Sequence, residues 1–190
     1  MRWKICEVMV MVLLVMVFFD GVSVANQPPP EGGVLPKFEL PVPETAKHRQ
    51  YLGLDQKTVF SIPDIEAEVV IIEIFSMYCP HCQREAPTVN KLFQKLEADP
   101  KTKGKIKLIG IGVGNSDFEI DYFRKTYDVP FPLFSDGDFA IHRLLGEVRT
   151  PYFIGIRILP DGSHRVFYSK LGGSEDAGKL LQDLLSQSGL

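Results

Sequence analysis

Two cysteines separated by Pro-His, in the motif Cys79-Pro80-His81-Cys82, are the residues of this chain best suited to do chemistry. After them Ala86, Val89, Leu92, Phe93 and Leu96 recur at three- and four-residue spacing, which predicts an amphipathic helix that starts at or near Cys79. The unpaired N–H groups and positive end of such a helix favour a thiolate over a thiol, so Cys79 is the expected nucleophile. Cys82, one turn on and less exposed, is the expected resolving thiol. Pro80 suits the first helical turn, where its missing N–H costs nothing, and stiffens the turn that holds the two sulfurs in range. His81 is expected to offer Cys79 a hydrogen bond or, when protonated, a charge, lowering the thiol pKa and making a Cys79–Cys82 disulfide easier to reduce. The chemistry this pattern implies is disulfide exchange with an oxidising lean, and it calls for no cofactor. A structural disulfide and half of a zinc site are the competing readings. Zinc needs two further ligands, and His48, His142 and His164 are scattered without ligand spacing, so no metal is expected.

The elements that must position these sulfurs follow from the pattern around them. Residues 69–75, rich in Val and Ile, predict a buried strand central to a partly parallel sheet, with the chemistry at its carboxyl end. Residues 105–113 predict the next strand. Gly110, Gly112 and Gly114 fall within its pattern, and Asn115 stands where a G-x-G-x-x-G loop has its third glycine, so this is a glycine-rich strand end and not a phosphate loop. Ser116 or Asp117 is expected to cap a helix to Tyr127, with Phe118, Tyr122 and Phe123 inward. An extended stretch at 129–134 and a short helix at 139–145 ended by Gly146 make an inserted βα unit. Residues 152–159 and 166–171, joined through Pro160-Asp161-Gly162, predict a hairpin. After the Gly172-Gly173 break, Ser174 is expected to cap a final helix carrying Leu180, Leu181, Leu184 and Leu185. Upstream, Thr45 to Leu54 reads as a short helix or turn ending at Gly53 and residues 57–61 as a short strand.

The 190 residues, 45% hydrophobic with a formal charge of −3, support one globular domain and no nucleic-acid partner. Residues 1–25 have the make-up of a secretory signal: Arg2 and Lys4, an apolar run over 5–19, and Ser23-Val24-Ala25 as the processing site. An uncleaved membrane anchor is the alternative, although a run of about 15 residues is short of the roughly 20 that span a bilayer. Residues 26–43, with Pro28, Pro29, Pro30, Gly32 and Gly33, read as a Pro/Gly-rich tether, leaving 44–190 as the domain. Removal of the signal, with its Cys6, leaves only Cys79 and Cys82, in a protein bound for the periplasm or another oxidising extracytoplasmic space.

Taken together, the segment from about Phe38 to Leu185 resembles a thioredoxin-like redoxin of the TlpA/ResA group, an AhpC/TSA-type thioredoxin fold. That group has a Glu three residues past its second cysteine and a Pro two residues later, here Glu85 and Pro87. Glu73, Phe75, Ser76 and the Pro-His dipeptide are instead similar to the DsbA-type oxidants, whose long helical insertion this chain lacks. The resemblance implies an α/β fold, a central mixed sheet flanked by helices with one extra βα unit. It implies that Pro151 is a cis-proline beside the cysteines, with the Thr150 backbone presented to a substrate segment that pairs as an added strand. It further implies that Glu73 is a buried carboxylate exchanging a proton with Cys82, that Glu85 is a second proton-handling group, and that Tyr78 shields the nucleophile. The activity implied is thiol–disulfide exchange with protein thiols or disulfides, a second redox partner recycling the Cys79/Cys82 pair, in either direction. Two alternatives stand beside it. A thiol peroxidase of the peroxiredoxin type would use Pro-x-x-x-Thr-x-x-Cys, but Ile72 and Ser76 occupy the Pro and Thr positions; Arg149 could serve its peroxide site or be an ordinary surface arginine. A non-catalytic binding module would keep the disulfide for structure alone.

Overall fold

All seven residues of the β-branched run Val69–Phe75 are buried, and the strand they form lies at the centre of a five-stranded sheet. The structure, a computed structural model, describes residues 27–54, 57–172 and 176–190. The elements in chain order are β1 (Leu40–Pro41), α1 (Ala46–Leu52), β2 (Val59–Phe60), β3 (Val69–Phe75), α2 (Pro80–Ala98), β4 (Ile106–Val113), α3 (Asp117–Thr126), β5 (Leu133–Asp136), α4 (Ala140–Leu144), β6 (Tyr152–Ile158), β7 (His164–Leu171) and α5 (Ala177–Ser188). The large sheet has the order β5-β4-β3-β6-β7, with β3, β4 and β5 mutually parallel and β6 and β7 antiparallel to their neighbours. The expected mixed sheet with one extra βα unit is therefore present, and β5 and α4 are that unit.

Alternation along β3 assigns its residues to two cores. Val70, Ile72 and Ile74 join the core beneath α1, α4 and the small β1-β2 sheet, and Val69, Ile71 and Phe75 join the one beneath α2, α3 and α5. Glu73 shares the parity of the second set, so its side chain lies on the α2 face. Gly110 and Gly112 serve that same face. A Cβ on Gly110 would lie 2.5 Å from Leu133 Cδ2, and one on Gly112 would lie 2.2 Å from Ile120 Cδ1, so both positions are kept empty for neighbouring apolar side chains.

Four expectations need correction or fall outside the described residues. Residues 27–43 do not hang free as a tether. Leu35, Phe38 and Leu40 are core residues and Pro29 is buried, the Gly32 N–H donates to Val166 O at 2.8 Å, and the Val166 N–H donates to Gly33 O at 2.9 Å. Proline forbids a continuous ladder, yet isolated bonds at the glycines and burial of the interspersed apolar side chains suffice to lay the segment along β7. In α3, Ile120 and Phe123 face inward, whereas Phe118 and Tyr122 are 79% and 56% exposed. A Ser116–Glu119 capping box fixes the start of this helix, and a residue two positions before Ile120 lies roughly 200° around from it. The 1–25 leader and Ser174 lie outside the described residues. The N-cap of α5 is Asp176, whose side chain accepts from the Gly178 N–H.

Candidate active site

Strand β3 ends at Phe75, a turn over residues 76–78 follows, and α2 begins at Pro80 with Cys79 as its N-cap. The turn closes through a bond from the Cys79 N–H to Ser76 O, 3.0 Å long. It is anchored from outside by two side chains: Asn115 Oδ1 accepts from the Met77 N–H at 2.8 Å, and Gln83 Nε2 donates to Met77 O at 2.7 Å. Asn115 is fully buried. The sequence marked it only as a departure from a phosphate loop, and its position just past the end of β4 was the signal that it would meet the motif.

The two thiols are free and differ sharply in environment, Cys79 being partly exposed and Cys82 fully buried. Partial burial by itself would raise the Cys79 thiol, but it is outweighed. Hydrogen bonding with the Thr150 side chain, the Cys82 N–H, the Cys82 thiol and the His81 backbone brings Cys79 below its ordinary value. The Cys82 N–H donates to Cys79 Sγ at 3.4 Å, so the expected helix-end donor is in place. The Thr150 carbonyl, 3.3 Å from Cys79 Sγ, accepts from the protonated thiol and so opposes this shift, yet the donors prevail. Cys82 moves the other way. Burial first, then the Cys79 sulfur and the Glu73 carboxylate, push its thiol well above the ordinary value against a bond with the Ser76 backbone. The two thiols are thus displaced in opposite directions, Cys79 below and Cys82 above the ordinary value.

Glu73 is 4% exposed, with Gly110 and Phe153 as its strand neighbours on either side. Burial, reinforced by the charge of Glu85, raises its carboxyl to about 8. It therefore holds a proton at neutral pH, and once ionised it lies close enough to Cys82 for its charge to be felt there. Glu85 is partly buried on α2 and bears electrostatically on both Glu73 and Tyr168, a buried residue of β7 with the Lys170 ammonium 4.7 Å from its ring centroid. Glu73 thus feels the charge of Glu85, and Cys82 that of Glu73. Tyr168 was not singled out from sequence.

The Thr150–Pro151 peptide is cis, with Thr150 O against Cys79, as the resemblance implied. Pro80 occupies the first turn of α2 as expected. The His81 ring is not the donor expected: it is exposed, and its Nδ1 accepts from Arg84 at 2.8 Å, so only the His81 backbone acts on Cys79. Tyr78 is 64% exposed and its hydroxyl donates to Glu119 in the first turn of α3, which holds it beside the nucleophile rather than over it. Ser76, Tyr78 and Thr150 line an open groove of ≈ 450 Å3, together with Val113, Gly114, Phe139, His142, Val148 and Arg149. Arg149 is exposed there. Among the described residues no group of three or more His, Cys, Asp or Glu side chains is arranged to hold a metal, and no helix is long and apolar enough to cross a membrane.

Known proteins resemble this chain to different extents. Over 103 residues the chain is 28% identical to the thiol-disulfide oxidoreductase ResA of Oceanobacillus iheyensis, covering 53% of this chain and 50% of that protein. It is 27% identical over 90 residues to ResA of Bacillus thuringiensis subsp. konkukian, covering 47% and 49%. The chain thus spans about half the length of these curated relatives. Among solved structures, a putative thiol:disulfide interchange protein DsbE from Chlorobium tepidum superimposes with a TM-score of 0.61 at 19% identity over 85% of this chain and 99% of that one. StoA from Bacillus subtilis does so with 0.54 at 18% over 78% and 96%, which places the fold with theirs. The AhpC/TSA family profile matches residues 32–161, well over half of the sequence and inclusive of both cysteines, Glu73, Glu85 and Pro151, and the chain belongs to the AhpC/TSA family.

Proposed function

We propose that the protein is an extracytoplasmic thiol–disulfide oxidoreductase acting on protein disulfides or thiols through Cys79 and Cys82. The observation that carries this reading is the opposed environment of the two sulfurs: a partly exposed thiol favoured as thiolate at the N-terminus of α2, and within its hydrogen-bonding reach a buried thiol kept protonated above a carboxyl group. In the reducing direction, Cys79 thiolate attacks one sulfur of a partner disulfide, forming a mixed disulfide and releasing the other partner sulfur as a thiolate. Cys82 then gives its proton to the Glu73 carboxylate and attacks Cys79 Sγ. The second partner sulfur leaves as thiolate, and the protein is left with a Cys79–Cys82 disulfide. Two protein thiols are oxidised as one partner disulfide is reduced, and the steps reversed oxidise a partner dithiol. Because Glu73 is mostly protonated at neutral pH, the small ionised fraction serves as the base, and Glu85 beside it gives that proton a way toward solvent. The names of the ResA relatives support the activity, and the signal-like residues 1–25 support export. Whether residues 5–19 stay as a membrane tether does not alter the chemistry.

The test uses reduced protein and insulin. Wild type should cleave the insulin disulfides, Cys79→Ser should not, and Cys82→Ala should accumulate a covalent adduct on Cys79 that dithiothreitol releases. An adduct on neither variant, with wild type inert toward insulin and toward small disulfides alike, would reject the reading.

A further inference from the structure

Within the groove beside Cys79, Phe139 is the residue the exchange chemistry leaves unexplained. It has φ 61° and ψ 20°, a left-handed conformation that a bulky side chain rarely adopts, and its side chain is 45% exposed. Two backbone bonds hold it there, from its own N–H to Asp136 O at 3.1 Å and from the Arg143 N–H to its carbonyl at 3.0 Å. The ring rests on Gly114, where an added Cβ would lie 2.6 Å from Phe139 Cζ, so the glycine at the end of β4 leaves the space that the ring fills. The loop leading to Thr150 is also fixed, because the His142 Nε2–H donates to Val148 O at 2.9 Å. Unfavourable backbone held in place by its surroundings, with an apolar ring left half in water next to a nucleophile, is what a binding wall requires. Of the residues that line the groove, Arg149 alone bears a permanent charge.

We propose that Phe139 is a specificity-determining residue for the exchange reaction, its ring packing on an apolar side chain next to the cysteine that Cys79 attacks, while Arg149 selects an acidic residue in the same segment. The occupant is a cysteine-containing stretch of polypeptide. Thr150, whose carbonyl lies 3.3 Å from Cys79 Sγ, itself lines the groove, so residues flanking a partner sulfur joined to Cys79 would enter it. A volume of ≈ 450 Å3 admits one or two side chains. The inference rests on the exchange reading above and adds the class of substrate to it.

The experiment measures kcat/KM of the full chain, reduced, on a set of fluorescent disulfide peptides that differ only beside the cysteine: Phe against Gly, and Glu against Lys. Wild type should prefer Phe over Gly by about tenfold and Glu over Lys by about threefold at low salt. Phe139→Asn, which tolerates the left-handed backbone, should bring the Phe/Gly ratio close to one, Phe139→Tyr should keep it, and Arg149→Glu should invert the Glu/Lys ratio. All peptides use the same sulfurs, so these ratios are insensitive to lost folded or reactive protein. Wild type that turns over every peptide equally, or a Phe/Gly ratio that Phe139→Asn leaves intact, overturns the proposal while the exchange reading stands. Wild type that turns over no disulfide at all overturns the exchange reading itself.

Discussion

Replacing Glu73 by Gln should remove a pH dependence of stability that the buried carboxyl imposes. Burial and the charge of Glu85 raise this group from its ordinary 4.5 to about 8 in the native protein, whereas in the unfolded chain it returns to the ordinary value. Between those values the native state holds a proton that the unfolded state has lost, so stability falls as pH rises across the window. The contribution is intact below about 4.5 and is gone once the pH passes about 8. At 1.36 kcal/mol per pKa unit, a shift of this size corresponds to on the order of 5 kcal/mol, a large share of the roughly 5–15 kcal/mol that holds a domain together. Urea unfolding of the reduced protein at about pH 5 and about pH 9, read by circular dichroism, gives the loss for wild type, and the same measurement on Glu73→Gln gives the loss without this group. Wild type should lose several kcal/mol more than the variant, approaching the order-of-magnitude figure above unless water entering the site on ionisation relieves part of it. The release of Cys79 mixed disulfides, followed by stopped flow, should also speed up with pH through about 8 in wild type and lose that dependence in Glu73→Gln. Parallel loss of stability in the two proteins would show that Glu73 is not held protonated, and the proton role assigned to it would fall with that result.

The two sulfurs should separate in alkylation. Iodoacetamide should modify Cys79 with a midpoint below the ordinary thiol value of 9.0, while Cys82 in a Cys79→Ser background stays unreactive across that range; equal midpoints would contradict the environments described. Gly112→Ala should destabilise the fold by about 1–3 kcal/mol, measured as a lower urea midpoint at unchanged slope, because the new methyl would lie 2.2 Å from Ile120 Cδ1 and 3.3 Å from Phe75 Cζ. A neutral result would mean that α3 shifts to accommodate it.

The local features of this chain were legible in its sequence because each is written in neighbouring residues. The helix start at Cys79 follows from apolar spacing and a proline at the first turn. The short helix from Thr45 to Gly53 follows from its caps, and both caps are present, with Gly53 at φ 71°. The burial of β3 follows from six apolar neighbours around one glutamate. Alternation puts Glu73 on the same face as Val69, Ile71 and Phe75, but only the packed α2 shows that Cys82 is what lies on that face. Tertiary structure alone decided the partners drawn from distant chain: Asn115 holding Met77, Thr150 O against Cys79, and Phe139 resting on Gly114. It also decided that residues 27–43 lie against the sheet, because the count of prolines forbids a ladder but says nothing about the apolar side chains between them. The division has one physical cause: periodicity and capping report on contacts within a few residues, whereas a pKa raised by burial or a groove between two loops exists only once segments far apart in sequence exclude water together.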